Sequence, residues 1–197
     1  MTDFSSIFSL ALGLVASGDG ELYSIIGLSL RVTLTAVAIG CVVGLPLGAF
    51  LAVVRFPGNA ALTALLNAFM GLPPVVVGLA VYLMLSRAGP LGVLGLLYTP
   101  TAMIIAQAVL VTPLIAALAR QSLADLHIEY DELFRSLGLS TRAKIATLIW
   151  DGRYSLTTAA LAGFGRAIAE VGEVIIVGGN IEHVTRVMTT AIALETS

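Results

Sequence analysis

The sequence predicts an all-α polytopic membrane protein built as a helical bundle, and three observations carry that prediction. Of its 197 residues, 58% are hydrophobic and only 11% charged, whereas a soluble domain carries about 25% charged residues. Mean hydropathy is +1.00. Four apolar stretches also reach the roughly 20 residues that a helix needs to cross a bilayer. So little charge could not cover a globular surface. The net charge of −2 gives no sign of a nucleic-acid partner. The one cysteine, Cys41, sits inside an apolar run, which excludes a disulfide framework within the chain and leaves a small packing residue.

The first 21 residues, "MTDFSSIFSLALGLVASGDGE", lack the basic start of a signal peptide and carry Asp3 instead. Their apolar part, 7–16, is too short to span, so an amphipathic segment lying at the membrane interface is expected. The predicted spans are 22–54, 61–86, 101–123 and 154–177. Lipid offers the backbone no hydrogen bonds, so each must be helical, and Pro46, Pro73, Pro74 and Pro113 are tolerated where neighbouring helices satisfy the freed carbonyls. In the first span, Ala36, Gly40, Gly44, Gly48 and Ala52 recur every four residues as one small-residue ridge, which fits close helix packing within the chain or across a dimer. The stretch "GLPPVVVG", 71–78, predicts a kink with free backbone groups. The final "TRVMTTAIALETS" begins like a fifth apolar helix and stops at Ser197. A truncated span is the favoured reading, with a surface-lying end as the alternative.

Orientation follows from loop Lys and Arg. Arg120, Arg135, Arg142, Lys144 and Arg153 account for half of the 10 basic residues and fall between the third and fourth spans. The loop 120–153 is therefore expected in the cytoplasm together with Arg55. The N-terminus, the Arg87 loop and the 178–186 loop are expected outside.

That basic loop contains "YDELFRSLGLS", Tyr130 to Ser140. Read physically, a helix capped near Asp125 would hold Glu129, Asp131 and Glu132 in its first turns and Arg135 towards its end, as the macrodipole favours. Gly138 can then take the left-handed turn, and Ser140 can cap a second helix, "TRAKIATLIW". Leu133, Phe134 and Leu137 form an apolar face that water alone would not keep, so a partner is expected. The alternative is an ordinary amphipathic helix on the bilayer, but such helices are usually rich in Lys and Arg, and this one is mixed and acidic.

The segment "ELFRSLG", Glu132 to Gly138, resembles the EAA loop of importer-type ABC transporter permeases, whose pattern is Glu-Ala-Ala, three residues, Gly. Glu132, Leu137 and Gly138 match; Leu133 and Phe134 replace the alanines, and "IWD" (149–151) stands where the family often has Ile-x-Leu-Pro. The following "GFGRAIAEVGEV" (163–174) is similar to the helix after that loop, and "VGGNIEHVTRVMTTAIALETS" is similar to the tungstate type within the molybdate/tungstate group. The resemblance covers 22–197. It implies a permease domain with a coupling loop at about 125–152, working as a homodimer in a prokaryotic cytoplasmic membrane. It further implies an extracytoplasmic substrate-binding protein and two cytoplasmic ATPase subunits that use ATP and Mg. Asp131, Glu132, Leu133, Phe134, Arg135, Leu137 and Gly138 would dock on the ATPase. The family normally continues into a further helix, which is why truncation is favoured.

Within the bilayer, Arg166, Glu170 and Glu173 are spaced four and three apart, hence on one face of a continuous helix. They either line the transport route or reduce to an Arg166–Glu170 pair with Glu173 wetted near the outer surface. Asn67, Gln107 and Thr112 either contact a passing oxyanion or bond between helices. Arg31 is expected to snorkel to the interface. His127 and His183 lack metal-ligand spacing and read as solvated. No metal site and no nucleophile–base arrangement is visible, and the sole lysine, Lys144, lies outside any Gly-rich phosphate loop. The missing phosphate loop leaves ATP hydrolysis to another subunit, and the resemblance implies a transport subunit without cofactor that imports an oxyanion, tungstate before molybdate. A gradient-driven transporter or channel using Arg166, Glu170 and Glu173 as a relay is the rival. An intramembrane enzyme is disfavoured.

Overall fold

The ridge of small residues decides which helices meet. Helix α1, Gly20–Val53, runs 34 residues through the first predicted span without a break at Pro46, and its ridge faces α4, Pro100–Ser136. A Cβ on Gly44 would lie 3.0 Å from the Thr112 carbonyl oxygen, and one on Gly48 only 2.6 Å from that of Ala116. Apolar burial gives no drive between helices in lipid, so close backbone approach must supply the attraction. Here the ridge packs within the chain. The structure, a computed structural model, describes residues 20–195. The expected interfacial segment 1–21 lies outside them save for Gly20 and Glu21, which open α1.

Among the described residues every regular element is helical. Two helices, α1 and α4, are long and apolar enough to cross a bilayer singly. The second predicted span is two helices, α2 (Asn59–Met70) and α3 (Pro74–Leu85), bent by 99° at the Gly71–Pro73 break. Pro73 lacks an N–H and Pro74 fixes the start of α3, so the kink expected from "GLPPVVVG" falls there and is sharp enough to make two helices of one. Asn59 joins α1 to α2: its Nδ2 donates to the Leu51 and Val54 carbonyls, 3.1 and 2.8 Å away, satisfying acceptors that a helix end leaves free.

The fourth predicted span is also broken. Helix α6 covers Arg153–Ile168 and the short α7 covers Gly172–Gly178, with Ala169–Val171 between them. Helix α5 (Thr141–Asp151) precedes this pair and α8 (Met188–Glu195) follows it. Ser29 Oγ on α1 accepts from the Met188 N–H at 2.8 Å and fixes the start of α8. The core has two main apolar regions. One joins α3, α4 and α7 through Val77, Val81, Leu110 and Val177. The other, around Ala49, Ala119, Leu123, Phe134, Leu148 and Leu156, ties the far end of α4 to α1, α5 and α6.

Candidate coupling surface and transport route

The expected helix start near Asp125 does not occur. Helix α4 runs unbroken from Pro100 to Ser136, 37 residues in all, because nothing between Arg120 and Glu129 breaks a helix and the Leu123, Leu126, Tyr130 and Phe134 stripe packs on the base of the bundle. Glu129, Asp131 and Glu132 therefore stand in the last turns, not the first. The predicted end is as expected. Gly138 has φ of +60°, its N–H donates to the Arg135 carbonyl at 3.1 Å, and the Leu139 N–H donates to that of Phe134 at 3.2 Å. This pair of bonds is a Schellman turn, closed by apolar contact between Leu139 and Phe134. Ser140 then caps α5 by accepting from the Ala143 N–H at 3.4 Å.

The apolar face divides in two. Phe134 is buried, 1% exposed, in edge-to-face contact with Tyr130 at 5.7 Å, so it belongs to the core and is no free docking residue. Leu133 and Leu137 remain 53% and 62% exposed, beside exposed Glu132 and Gly138. Asp131 and Arg135 pair at 2.6 Å on the surface, a contact worth roughly 0–1 kcal/mol. Sequence reasoning passed over Trp150. It is 70% exposed, with the Arg153 guanidinium 5.0 Å above its ring and 4.7 Å above that of Tyr154; an exposed Trp beside an apolar helix was the available signal. His127 is not solvated as expected: it is half-buried and stacks 6.1 Å from Phe134. Burial first, then the charges of Lys144, Arg55 and Arg135, hold its imidazole below the usual value against the opposing pull of Asp131.

Of the expected route residues, only Gln107 and Glu170 come together. They line a cavity of about 10 Å³ with Ser29, Thr33 and Thr189, the size of a single water. Gln107 Nε2 donates to the Ala167 carbonyl at 3.1 Å, while its buried Oε1 has no partner. Thr189 Oγ1 donates to the Glu170 carbonyl at 2.8 Å. Asn67 is exposed on α2. Thr112 donates to the Ala108 carbonyl in its own helix at 2.6 Å, one residue before the Val109 carbonyl that Pro113 leaves free. Arg166 is exposed, and no Arg166–Glu170 ion pair within 4 Å forms among the described residues, since Glu170 falls in the break after α6 and the shared helical face is lost. Glu173, which the alternative of a self-neutralising Arg166–Glu170 pair placed at the wet outer surface, is fully buried. Gly78 of α3 comes so close that a Cβ there would stand 2.9 Å from Glu173 Cα, and both carboxylate oxygens lack partners.

The Gln107 bond stitches α4 to the end of α6. Gln107→Leu is expected to lower thermal stability in detergent by about 0.6–1.7 kcal/mol, the range for interhelical bonds in membranes, because the Ala167 carbonyl loses its donor. An unchanged melting temperature for Gln107→Leu would show that the bond contributes nothing.

Among the described residues, two broken helix pairs accompany two helices long enough to cross a bilayer, and a glycine turn at Gly138 joins the end of α4 to α5. The chain belongs to the family described as binding-protein-dependent transport system inner membrane component, whose model matches residues 44–182. It is therefore a membrane-embedded permease of ABC import systems. The chain is 43% identical over 187 residues to the tungstate uptake system permease protein TupB of Peptoclostridium acidaminophilum, covering 95% of this chain and 82% of that one. It is 41% identical over 180 residues to a probable anion ABC transporter permease protein of Haloferax volcanii, covering 88% and 77%. Over 128 residues it is 40% identical to TupB of Campylobacter jejuni, covering 65% and 54%.

Proposed function

We propose that this chain is the membrane-spanning subunit of an ATP-driven tungstate importer, with molybdate the second choice of oxyanion, and that the tip of α4 is where a separate ATPase grips it. The observation that carries the coupling role is the continuity of α4. An uninterrupted helix transmits force at its tip along its axis to Gln107, beside Glu170 and the break between α6 and α7. Leu133 and Leu137 stand ready to be covered; burying each stabilises a contact by roughly 1.5–3 kcal/mol. Glu132 and Arg135 add charge that sets register more than affinity. The loop 120–153 lies in the cytoplasm, on the excess of Lys and Arg there. Two copies of the chain form the route, an external binding protein delivers the oxyanion, and two ATPase subunits use ATP and Mg. The permease itself makes and breaks no covalent bonds.

Reconstitution in proteoliposomes with the ATPase and binding protein tests this reading. Tungstate uptake is expected to require both proteins and ATP, and an ion gradient alone is expected to drive none. Uptake driven by a proton gradient without ATP would overturn it.

A further inference from the structure

A cleft of about 400 Å³ opens at the base of the bundle, lined by Val53 at the end of α1, by Arg55 just after it, by His127, Asp131 and Arg135 on α4, and by Lys144 on α5. We propose that this cleft binds a phosphate-class oxyanion, presented on an anionic lipid headgroup or free in solution. Its cytoplasmic location rests on the orientation proposed above; the anion chemistry does not.

The charge balance points the same way. Three cations face one carboxylate, and that carboxylate is already engaged, with Asp131 2.6 Å from Arg135. Arg55 and Lys144 make no ion pair within 4 Å among the described residues, although they line the same cleft from different elements. Converging like charges are unfavourable unless an anion answers them. Behind them lies the buried Phe134 ring: Lys144 Nζ lies 5.9 Å from its centroid, and His127 stacks on it. His127 also has a buried Nδ1 without a partner. Burial is the first cause of its lowered basicity; of the charges around it, Asp131 from α4 opposes that lowering, and Lys144 from α5, Arg55 from the loop after α1 and Arg135 from α4 add to it. With three cations to one carboxylate the cleft carries net positive charge, which a bound dianion would neutralise. Basic pockets at the inner membrane surface hold lipid headgroups by this chemistry.

The test uses the assembled transporter with its ATPase subunits. Native mass spectrometry compares retention of phosphatidylglycerol with phosphatidylcholine, and equilibrium dialysis of the delipidated complex measures binding of inorganic phosphate and tungstate. Arg55→Gln and Lys144→Gln are each expected to weaken anion binding about fivefold, with the double variant losing about 25-fold, while Arg55→Lys keeps most of it. Selective phosphatidylglycerol retention without free-anion binding assigns the site to a headgroup; the reverse assigns it to a soluble oxyanion. Binding of both kinds of anion that is unchanged in the double variant overturns the proposal. Loss of the ATPase from the double variant with anion binding intact also overturns it and gives the cations to the subunit interface. Because binding is read without transport, failure of tungstate uptake leaves this result standing.

Discussion

Gly48→Val is expected to abolish folded, monodisperse protein. Even a single Cβ at this position would stand 2.6 Å from the Ala116 carbonyl oxygen and 2.9 Å from both Ala119 Cβ and Arg120 N. Two of those atoms are α4 backbone, which cannot turn aside as a side chain would. Relief requires α1 and α4 to separate along the ridge where their backbones meet. Overpacking of a tight core costs about 1–3 kcal/mol and occasionally more, and here the lost helix contact adds to it. Detergent-solubilised Gly48→Val should elute as aggregate and give no cooperative melt, while Gly48→Ala should lie between it and wild type. Gly27→Ala is the control, since a Cβ on Gly27 of the same helix meets nothing within 4 Å; it should leave the melt unchanged. A well-folded Gly48→Val would mean that α1 and α4 are not packed as described.

Gly138→Val is expected to abolish transport by a different route, with the protein still folded. Nothing lies within 4 Å of a Cβ at this position, so space is not the obstacle; the φ of +60° is. A left-handed conformation costs a side-chain-bearing residue roughly 1–2 kcal/mol, more when it is β-branched. The Schellman turn would open, and α5 would leave α4 in a new direction. Uptake and ATPase co-purification should fall by at least about tenfold, since each 1.4 kcal/mol is a factor of ten. Gly138→Asn, which tolerates the left-handed region, should recover most of both. If valine and asparagine behave alike, the turn geometry does not matter to coupling.

The helices and their ends were largely legible in the sequence, because the signals were local. The small-residue ridge marked the face of α1 that packs. Gly138 and Ser140 marked the turn and the cap, and the paired prolines marked the bend before α3. Two errors share one cause. Asp125 reads as a cap residue only if something ends the preceding helix, and nothing in the sequence does; the packing of Tyr130 and Phe134 on the bundle carries α4 straight through. The spacing of Arg166, Glu170 and Glu173 implied one face only if their helix were continuous, whereas it breaks at Ala169–Val171. The burial of Glu173 depends on the approach of Gly78 from α3, and the basic cleft joins Arg55 to Lys144. Such long-range pairings are tertiary facts that periodicity does not carry. The exposure of Leu133 was legible as an apolar residue in a charged segment, while the burial of Phe134 one position on required the structure.

The coupling role of the α4 tip is tested most directly by placing a cysteine at Leu137. Cys41 is the one cysteine in these 197 residues, so Cys41→Ser clears their background, and the assembled transporter can be probed with a short bifunctional thiol reagent against single cysteines on the ATPase surface. Leu137→Cys is expected to cross-link to the ATPase in the resting complex and to change partner position or rate when a non-hydrolysable ATP analogue is added. A cysteine there that never cross-links and reacts freely with a water-soluble maleimide in the intact complex would contradict it.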